Sequence, residues 1–328
     1  MSDAKPRAEP LPPGSLVAVT GATGFIGGHV MQALLDRGYA VRALTRRLQP
    51  AGHADVSWQL GDLNDADALA GLVAGAEAVI HLAGSIKALT RDDFFRANLD
   101  GTRHLAQAAA RAAGRPRLVH VSSLAAREPR LSPYAASKRA AEQALRPFAE
   151  ALPLAIVRPP AVYGPGDRET LRIFRLAARG IVPVPAVAGA RFSLIHGADA
   201  AAAIVAALDL AVRPGATPEP WEPDDGRAGG YGWADVVAAA AGAVGRTPRL
   251  VSIPVPALYV GGLAGSLTAW LTRRPGMLTW SKVPELAHPD WVAVGGGVPG
   301  FTPRWRLPEG FANTVDWAIS QGLLKSYR

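Results

Sequence analysis

Short apolar runs alternate with amphipathic stretches along the first half of the chain. Runs with the pattern of buried strands lie at 16–20, 40–45, 56–60, 78–82, 118–121 and 154–157. Stretches typical of helices follow them, ending first at Arg37 before Gly38 and recurring at 64–74, 92–113 and 133–151. This alternation predicts parallel pairing of the strands, with helices on both faces of one sheet.

The fold class predicted from this pattern is α/β, a doubly wound parallel sheet (Rossmann fold) with a smaller C-terminal region. We expect the Rossmann core over 16–165, preceded by a flexible tail over 1–15. After about residue 160 proline and glycine become frequent, and helical patterns recur at 168–179, 198–211 and 231–244. Residues 166–328 are therefore predicted to form mostly a substrate-binding region, with some segments returning to the core.

One segment, 250–272, contains no charged residue. Its length would suffice to span a membrane, but Pro254, Pro256, Gly261, Gly262 and Gly265 interrupt it. The favoured interpretation is a buried or pocket-lining segment, and peripheral contact with a membrane surface is the alternative.

Composition and charge narrow the function classes. The chain has no cysteine, which excludes disulfides, thiolate nucleophiles and Cys-ligated metals. The histidines lack metal-ligand spacing, and His81 and His120 are interpreted as packed core residues, so no metal site is predicted. The net charge is +8, but the basic residues are dispersed; we expect a small-molecule substrate and no nucleic acid. The first residues lack the apolar segment of a signal peptide, which favours a cytoplasmic location.

A glycine-rich turn follows the first predicted strand. Gly21, Gly24 and Gly27 have the spacing GxxGxxG before a helix, which suits a tight turn, a close approach to a pyrophosphate, and close packing of helix and strand. The intervening residues with a predicted part in cofactor binding are Thr23, Phe25 and Ile26.

The residues after the second strand indicate which cofactor binds. An acidic residue there would bind a ribose hydroxyl, but this chain has Arg46 and Arg47. Because guanidinium pairs well with phosphate, the preferred cofactor is NADP, with NAD as the alternative.

Three side chains form a candidate catalytic set. Tyr134 and Lys138, at i and i+4, share one face of a predicted helix. The nearby ammonium is expected to lower the tyrosine pKa, so that the phenol passes a proton as hydride moves. Ser122 and Ser123 end the fifth predicted strand, and a serine hydroxyl there would polarise a substrate carbonyl.

Taken together, the sequence resembles the extended short-chain dehydrogenase/reductase superfamily, in particular its NAD(P)-dependent epimerase/dehydratase group. The resemblance covers about residues 16–210. Besides the glycine turn and the Tyr/Lys pair, it rests on GDL at 61–63, HLAG at 81–84, NLDGT at 98–102 and RPPAVYGP at 158–165.

The resemblance implies further roles, position by position. Asp62 and Leu63 would flank the adenine, Ala83 and Gly84 would line the ribose and phosphates, and Lys138 would also bind the nicotinamide ribose. Pro159 and Pro160 would border the nicotinamide. Asn98 would help to place the active-site helix, and Ser123 matches the catalytic Ser/Thr. His196 and Asp199 match a segment that starts a helix, where capping is the expected role.

Two departures bear on the substrate. Only ten residues separate Ser123 from Tyr134, and the insertion usual in sugar-nucleotide epimerases is missing there. Arg191 is offset from the arginine that would grip a substrate diphosphate. The pattern resembles 3β-hydroxysteroid dehydrogenases and dihydroflavonol reductases more closely.

The leading hypothesis is an NAD(P)-dependent dehydrogenase/reductase that acts on a ketone or secondary alcohol of a fairly apolar small molecule. A sugar-nucleotide epimerase or dehydratase is the first alternative, and a non-catalytic dinucleotide-binding accessory or sensor protein is the second. By analogy with relatives, a homodimer is also expected.

Overall fold

The structure, a computed structural model, describes residues 9–50, 52–211, 214–215, 218–276, 278–294 and 297–325. Six parallel strands form the central sheet, in the order β3-β2-β1-β4-β5-β6. Their bounds are β1 (Leu16–Thr20), β2 (Ala40–Thr45), β3 (Val56–Leu60), β4 (Ala78–His81), β5 (Arg117–Val121) and β6 (Leu154–Val157). The order reverses between β1 and β4, which is the switch point where such sheets bind ligands. The predicted fold class and all six predicted strands are confirmed.

Five helices connect these strands: α1 (Phe25–Asp36), α2 (Ala66–Val73), α3 (Arg91–Phe95), α4 (Gly101–Arg111) and α5 (Pro133–Ala144). A wide π-helical turn at Arg96–Asp100 joins α3 to α4, so the two continue as one helix. The predicted helix at 133–151 is shorter than expected, because the chain turns into a 3₁₀ segment, Arg146–Phe148, that contains a proline.

The remaining elements belong mainly to the C-terminal region. They are β7 (Ala161–Tyr163), α6 (Leu171–Ala178), β8 (Ile181–Pro185), β9 (Arg191–Phe192), β10 (Leu194–His196), α7 (Gly197–Ala206), α8 (Trp233–Val244), β11 (Arg249–Ile253), α9 (Val255–Thr272), α10 (Val283–Leu286), β12 (Asp290–Trp291) and α11 (Leu307–Ser320). The strands pair in parallel as β7 with β10, β8 with β11, and β9 with β12.

Three buried clusters hold the elements together. On one face of the sheet, α1 packs against α7, a segment of the C-terminal region that returns to the core. On the other face, α2 and α4 cover the strands. A third cluster joins α6, α8 and α11 around Tyr163, Phe174 and Phe311. The sheet and the C-terminal region therefore share packing through α7.

The predicted flexible tail lies partly outside the described residues, at 1–8. Over 9–15 the described part of this segment contacts the body of the protein. Leu11 is buried, and its carbonyl accepts a hydrogen bond from the Tyr39 hydroxyl (3.2 Å). Arg117 also donates to the carbonyl of Glu9 (2.7 Å).

The uncharged segment 250–272 forms the end of β11 and then one unbroken helix, α9. The prolines do not interrupt it, because Pro254 and Pro256 lie at its start, where a missing N–H is tolerated. Gly262 and Ala269 are its buried residues. The favoured interpretation of a buried segment is therefore wrong for most of this helix, which by length and composition could cross a membrane.

Candidate active site

The turn between β1 and α1 accepts only glycine at two of its positions. Gly21 has a φ of +78°, and a Cβ there would lie 2.7 Å from the backbone nitrogen of Ala83. A Cβ on Gly27 would collide with the carbonyl oxygen of Gly21. Gly24 caps α1 with no side-chain hydrogen bond. No side chain therefore caps the start of α1, a geometry that leaves its first backbone N–H groups available to a phosphate.

The other residues of the turn differ in burial. Thr23 is exposed, and Ile26 is partly buried against the core beneath the sheet. Phe25 reaches across to the C-terminal region, where it lies close to Gly166 and Gly197. Phe25 therefore links the glycine turn to the turn that follows β7.

The second side of the predicted cofactor groove follows β4. Ala83 donates its N–H to Thr20 Oγ1 (3.2 Å), and Gly84 is exposed. A Cβ on Gly84 would lie 2.7 Å from Asn98 Oδ1 and 3.9 Å from Lys138 Nζ. Gly84 thus lies beside the candidate catalytic lysine.

The residues that follow β2 and β3 lie at the outer end of the predicted cofactor groove. Arg46 and Arg47 are exposed, directly after the end of β2. Asp62 is exposed and accepts the N–H of Asn64 (2.7 Å). Leu63 packs against Gly101, at the start of α4. Since β2 and β3 are parallel neighbours, these residues share one edge of the sheet.

At the other end of the groove, Pro159 and Pro160 follow β6 and are buried. The Pro159 carbonyl accepts the N–H of Leu124 (3.0 Å), so the strand end is fixed next to Ser123. The glycine turn, Gly84 and these prolines all lie at the carboxyl ends of parallel strands. A cradle that has no room for a Cβ at Gly21 fits a bound dinucleotide.

Tyr134 and Lys138 lie on the first two turns of α5. The helix begins at Pro133, and Ser132 caps it by accepting the N–H of Ala135 (3.0 Å). Lys138 donates from Nζ to the Val121 carbonyl at the end of β5 (2.8 Å). Its ammonium group therefore lies at the carboxyl edge of the sheet.

Burial changes the pKa of both Tyr134 and Lys138. It raises the pKa of Tyr134 to about 12; a hydrogen bond with Ser123 opposes this rise and the charge of Glu285 adds to it. Burial also lowers the pKa of Lys138 to about 8, and the charge of Glu142 opposes this change. The expected lowering of the tyrosine pKa by Lys138 is therefore wrong, because desolvation of the phenolate dominates. With its pKa raised to about 12, the phenol is protonated at neutral pH.

The two serines that follow β5 have different partners. Ser122 is buried and donates to Glu142 Oε1 (2.6 Å). Ser123 is only partly buried, accepts the N–H of Ala125 (3.2 Å) and contacts Tyr134. The structure thus brings Ser123, and not Ser122, to the tyrosine, in agreement with the serine chosen from the sequence.

Asn98 fixes the position of α5 from the wide turn between α3 and α4. Its Nδ2 donates to Ser137 Oγ (2.8 Å) and to the Ser85 carbonyl (3.1 Å), and its Oδ1 accepts the Ser85 N–H (2.7 Å). Ser137 in turn donates to the Tyr134 carbonyl (2.8 Å). This chain of hydrogen bonds connects the loop after β4 to the backbone of Tyr134.

His196 and Asp199 have structural partners, as expected. His196 Nδ1 accepts the N–H of Ala198 at the start of α7. Asp199 accepts the backbone N–H groups of Arg304 and Trp305, each at 2.9 Å. Within the described ranges, no group of three or more His, Asp or Glu residues is placed to hold a metal ion.

Two residues beside Tyr134 had no signal in the sequence. Lys282 Nζ lies 4.7 Å from the centroid of the tyrosine ring and forms an ion pair with Glu285. Glu285 also accepts a hydrogen bond from Ser132 Oγ (2.6 Å), which couples it to the start of α5. No local motif marks these residues, because the chain brings them to the site from a distant segment.

A surface cavity of about 720 Å³ lies next to this contact. It extends from the start of α5 to the C-terminal segment, and it is lined by residues that include Arg130, Ser132, Ala136, Tyr259, Trp280 and Pro284. The cavity has both apolar and cationic walls, and on α5 it is lined by Pro133 and Ala136.

Comparisons with known proteins agree with this geometry. The sequence pattern of the NAD dependent epimerase/dehydratase family matches residues 17–218. A ceramide reductase of Caulobacter vibrioides is 44% identical over 317 residues, which is 94% of this chain and 96% of that protein. A 3 beta-hydroxysteroid dehydrogenase/Delta 5-->4-isomerase of Mycobacterium tuberculosis is 38% identical over 117 residues, 33% of this chain and 31% of that one.

Among solved structures, MoeE5 in complex with UDP-glucose and NAD superposes with a TM-score of 0.70. It is 24% identical, and the match covers 94% of this chain and 99% of that one. This likeness shows the fold. Together with the family match and the full-length relative, it shows that the chain belongs to the NAD-dependent epimerase/dehydratase family of the extended short-chain dehydrogenases/reductases and is an NAD(P)-dependent enzyme.

Proposed function

We propose that this chain is an NADP(H)-dependent reductase that converts the ketone group of a ceramide-like lipid into a secondary alcohol. The observation that carries the proposal is the 44% identity to a ceramide reductase along almost the whole of both chains. A cavity at the start of α5, lined by Tyr259 and Trp280 among others, has an apolar wall of the kind that suits a long-chain substrate.

The bound nicotinamide would supply the hydride that adds to the carbonyl carbon. Ser123 would donate a hydrogen bond to the carbonyl oxygen and so stabilise the negative charge that develops there. Tyr134, protonated at neutral pH, would give its proton to that oxygen, which completes the alcohol. The Lys138 ammonium would stabilise the phenolate that remains and would hold the nicotinamide ribose.

The preference for NADP over NAD is part of the proposal. Arg46 and Arg47 are exposed at the carboxyl end of β2, the position from which a side chain reaches the ribose of a dinucleotide. Two guanidinium groups there favour a ribose that carries a phosphate.

A nucleotide-sugar substrate is the competing hypothesis, and the position of Arg191 weighs against it. Arg191 Nε donates to the Gly229 carbonyl (3.1 Å), and its Nη1 lies 3.5 Å from a carboxylate oxygen of Asp235. These partners hold the guanidinium in a local contact, where it satisfies a carbonyl and a carboxylate of its own chain.

The test is reduction of a short-chain N-acyl-3-ketosphinganine, followed as the loss of NADPH absorbance. Tyr134→Phe should lower kcat by about 10²- to 10⁴-fold while NADPH still binds, because it removes the proton donor alone. Tyr39→Phe is the matched control, since Tyr39 bonds Leu11 at the opposite edge of the sheet. Full turnover in Tyr134→Phe would contradict the mechanism. Interconversion of UDP-sugars without loss of NADPH would instead establish the epimerase hypothesis.

A further inference from the structure

Helix α9 has the reverse of the usual arrangement of large and small residues. In a helix of a soluble protein the large apolar side chains normally face the core. In α9 large apolar side chains face outward, with 55–72% of their surface exposed: Val260, Leu263, Leu267, Trp270 and Leu271. These positions recur every three or four residues, so they form one continuous stripe, the outer face of α9.

The inner face of α9 consists of small residues. A Cβ on Gly262 would lie 2.9 Å from Val283 Cγ2, and a Cβ on Gly265 would collide with the Leu278 carbonyl. These glycines allow the segment 278–283 to pack directly on the helix backbone. The helix is thus anchored through its small residues. Its contact face is therefore the glycine face, and its large apolar side chains lie on the opposite, exposed face.

The serine and threonine hydroxyl groups of α9 donate hydrogen bonds within the helix. Ser266 donates to the Gly262 carbonyl (2.9 Å), Thr268 to the Ala264 carbonyl (2.8 Å), and Thr272 to the Thr268 carbonyl (2.7 Å). Such bonds are needed where no water is available, because an unpaired hydroxyl in an apolar medium is costly.

The basic residues around α9 favour an anionic partner. Between Asp235 and Glu285 the chain contains five basic residues and no acidic residue. Two of them, Arg273 and Arg274, are exposed at the carboxyl end of α9, next to Trp270 and Leu271. Trp beside Arg is the pattern of helices that bind the interface of anionic membranes. A second copy of this chain, also with a net charge of +8, would be repelled by the same basic end.

Both ends of α9 return to the body of the protein. Before it, β11 pairs with β8, and after it the segment 278–283 packs on the helix and β12 pairs with β9. At 1.5 Å per residue the helix is roughly 27 Å long. Anchored at both ends and along its inner face, it is suited to lie flat on a bilayer.

We propose that the outer face of α9 docks this enzyme onto the surface of an anionic lipid bilayer, with Arg273 and Arg274 at the headgroups. Tyr259 of the same helix and Trp280 line the cavity at the start of α5, so docking would place that cavity at the lipid surface. This docking goes beyond the proposed reaction and does not depend on which ketone is the substrate.

The test is co-sedimentation of the full chain with vesicles of phosphatidylcholine alone and with 30 mol% phosphatidylglycerol. The combined variant Leu263→Gln, Leu267→Gln and Trp270→Gln should reduce the bound fraction at least tenfold, since it replaces exposed apolar side chains. Arg273→Glu with Arg274→Glu should remove the preference for phosphatidylglycerol. Leu48→Gln is the matched control, because Leu48 is 87% exposed and lies far from α9 in the sequence. This variant should bind vesicles like the unmodified protein.

Folding is checked by circular dichroism, and the oligomeric state by sedimentation velocity without lipid. Retained reduction of a water-soluble short-chain ketone by the triple variant, together with lost vesicle binding, supports docking separately from catalysis. The proposal is overturned if the unmodified chain does not bind either vesicle, or if the triple variant binds as well. A dimer in lipid-free buffer that the triple variant dissociates would also overturn it, because a second copy would then cover this face.

Discussion

Two neighbouring serines at this site have different hydrogen-bond partners. Ser122 and Ser123 are adjacent, yet Ser122 donates to buried Glu142 and Ser123 contacts Tyr134. Strand geometry explains the difference, because successive side chains point to opposite sides of the backbone. The choice of Ser123 from the sequence depended on the family resemblance, since the pair alone does not distinguish the two residues.

The pH dependence should report Lys138. Its pKa is lowered to about 8 by burial, whereas that of Tyr134 is raised to about 12. In the reduction direction, loss of the ammonium charge leaves the phenolate less stabilised, so kcat/KM should fall as the pH rises through about 8. Tyr134 remains protonated over that range and does not contribute. Lys138→Arg, which keeps its charge, should remove the decline; a rate that rises through pH 8 would contradict this assignment.

Cofactor preference should depend on Arg46. Arg46→Ala should raise KM for NADPH about tenfold or more and leave KM for NADH unchanged, because a charge-assisted bond to a phosphate contributes about 1.5–3 kcal/mol. Arg37→Ala is the control, since Arg37 is paired with Asp209 at the end of α1, away from the groove. Equal changes for both cofactors would show that Arg46 does not bind the extra phosphate.

At the scale of elements, α5 is held to β6 by a buried ion pair. Arg158 donates to Glu142 from Nε (2.8 Å) and Nη2 (2.7 Å), and also contacts Glu222 (3.3 Å). Glu142 further accepts the hydrogen bond from Ser122. The pair thus joins the active-site helix to the strand end that precedes Pro159.

Removal of one member of this pair should be costly. Glu142→Ala should lower the free energy of unfolding by about 3–5 kcal/mol, because it leaves a buried guanidinium with fewer partners. Arg139→Ala breaks a half-exposed contact with the same carboxylate, and should cost less than about 1 kcal/mol. Urea unfolding followed by circular dichroism measures both; equal losses would show that burial of this pair contributes little.

The elements that the sequence predicted well are those with strong local patterns. Each sheet strand was predicted within one residue of its bounds, because buried parallel strands are almost entirely apolar. The apolar composition of α9 was equally clear, but not where its apolar side chains point. Burial depends on which face packs against the protein, and in α9 that face consists of glycines.

For the whole molecule, packing of the C-terminal region depends on a cluster of aromatic rings. Phe311 lies edge-on to Tyr163 (5.0 Å between centroids) and to Phe174 (4.9 Å), and so joins α11 to β7 and α6. This cluster connects the substrate side of the site to the end of the chain.

Phe311→Ala should therefore lower the free energy of unfolding by about 3–5 kcal/mol, as expected for a buried ring that leaves a cavity. Below the unfolding transition, NADPH affinity should stay unchanged, because Phe311 belongs to a different cluster from the glycine turn. Leu48→Ala serves as the exposed control in thermal unfolding and in cofactor titration. A loss of less than about 1 kcal/mol would contradict the role of this ring.

Long-range placement is what the sequence could not provide. The cofactor turn and the pair of Tyr134 and Lys138 are local motifs, so the order of residues along the chain is enough to locate them. Lys282 and Glu285 contact the same tyrosine and its helix from the far end of the chain, and only the tertiary fold brings them there. The contacts that the C-terminal region makes with Tyr134 and α5 are therefore harder to predict than the glycine turn.

Because α7 packs against α1 on the sheet, it limits where this enzyme can be joined to a relative in a chimera. Val30 and Leu34 of α1 are buried beneath residues of α7 such as Ile204. A chimera joined near residue 165 would match one parent's α1 with the other parent's α7 and put foreign side chains into a shared core. A chimera that keeps the join near residue 165 therefore needs two further junctions, one on each side of α7, so that this helix stays with the amino-terminal parent.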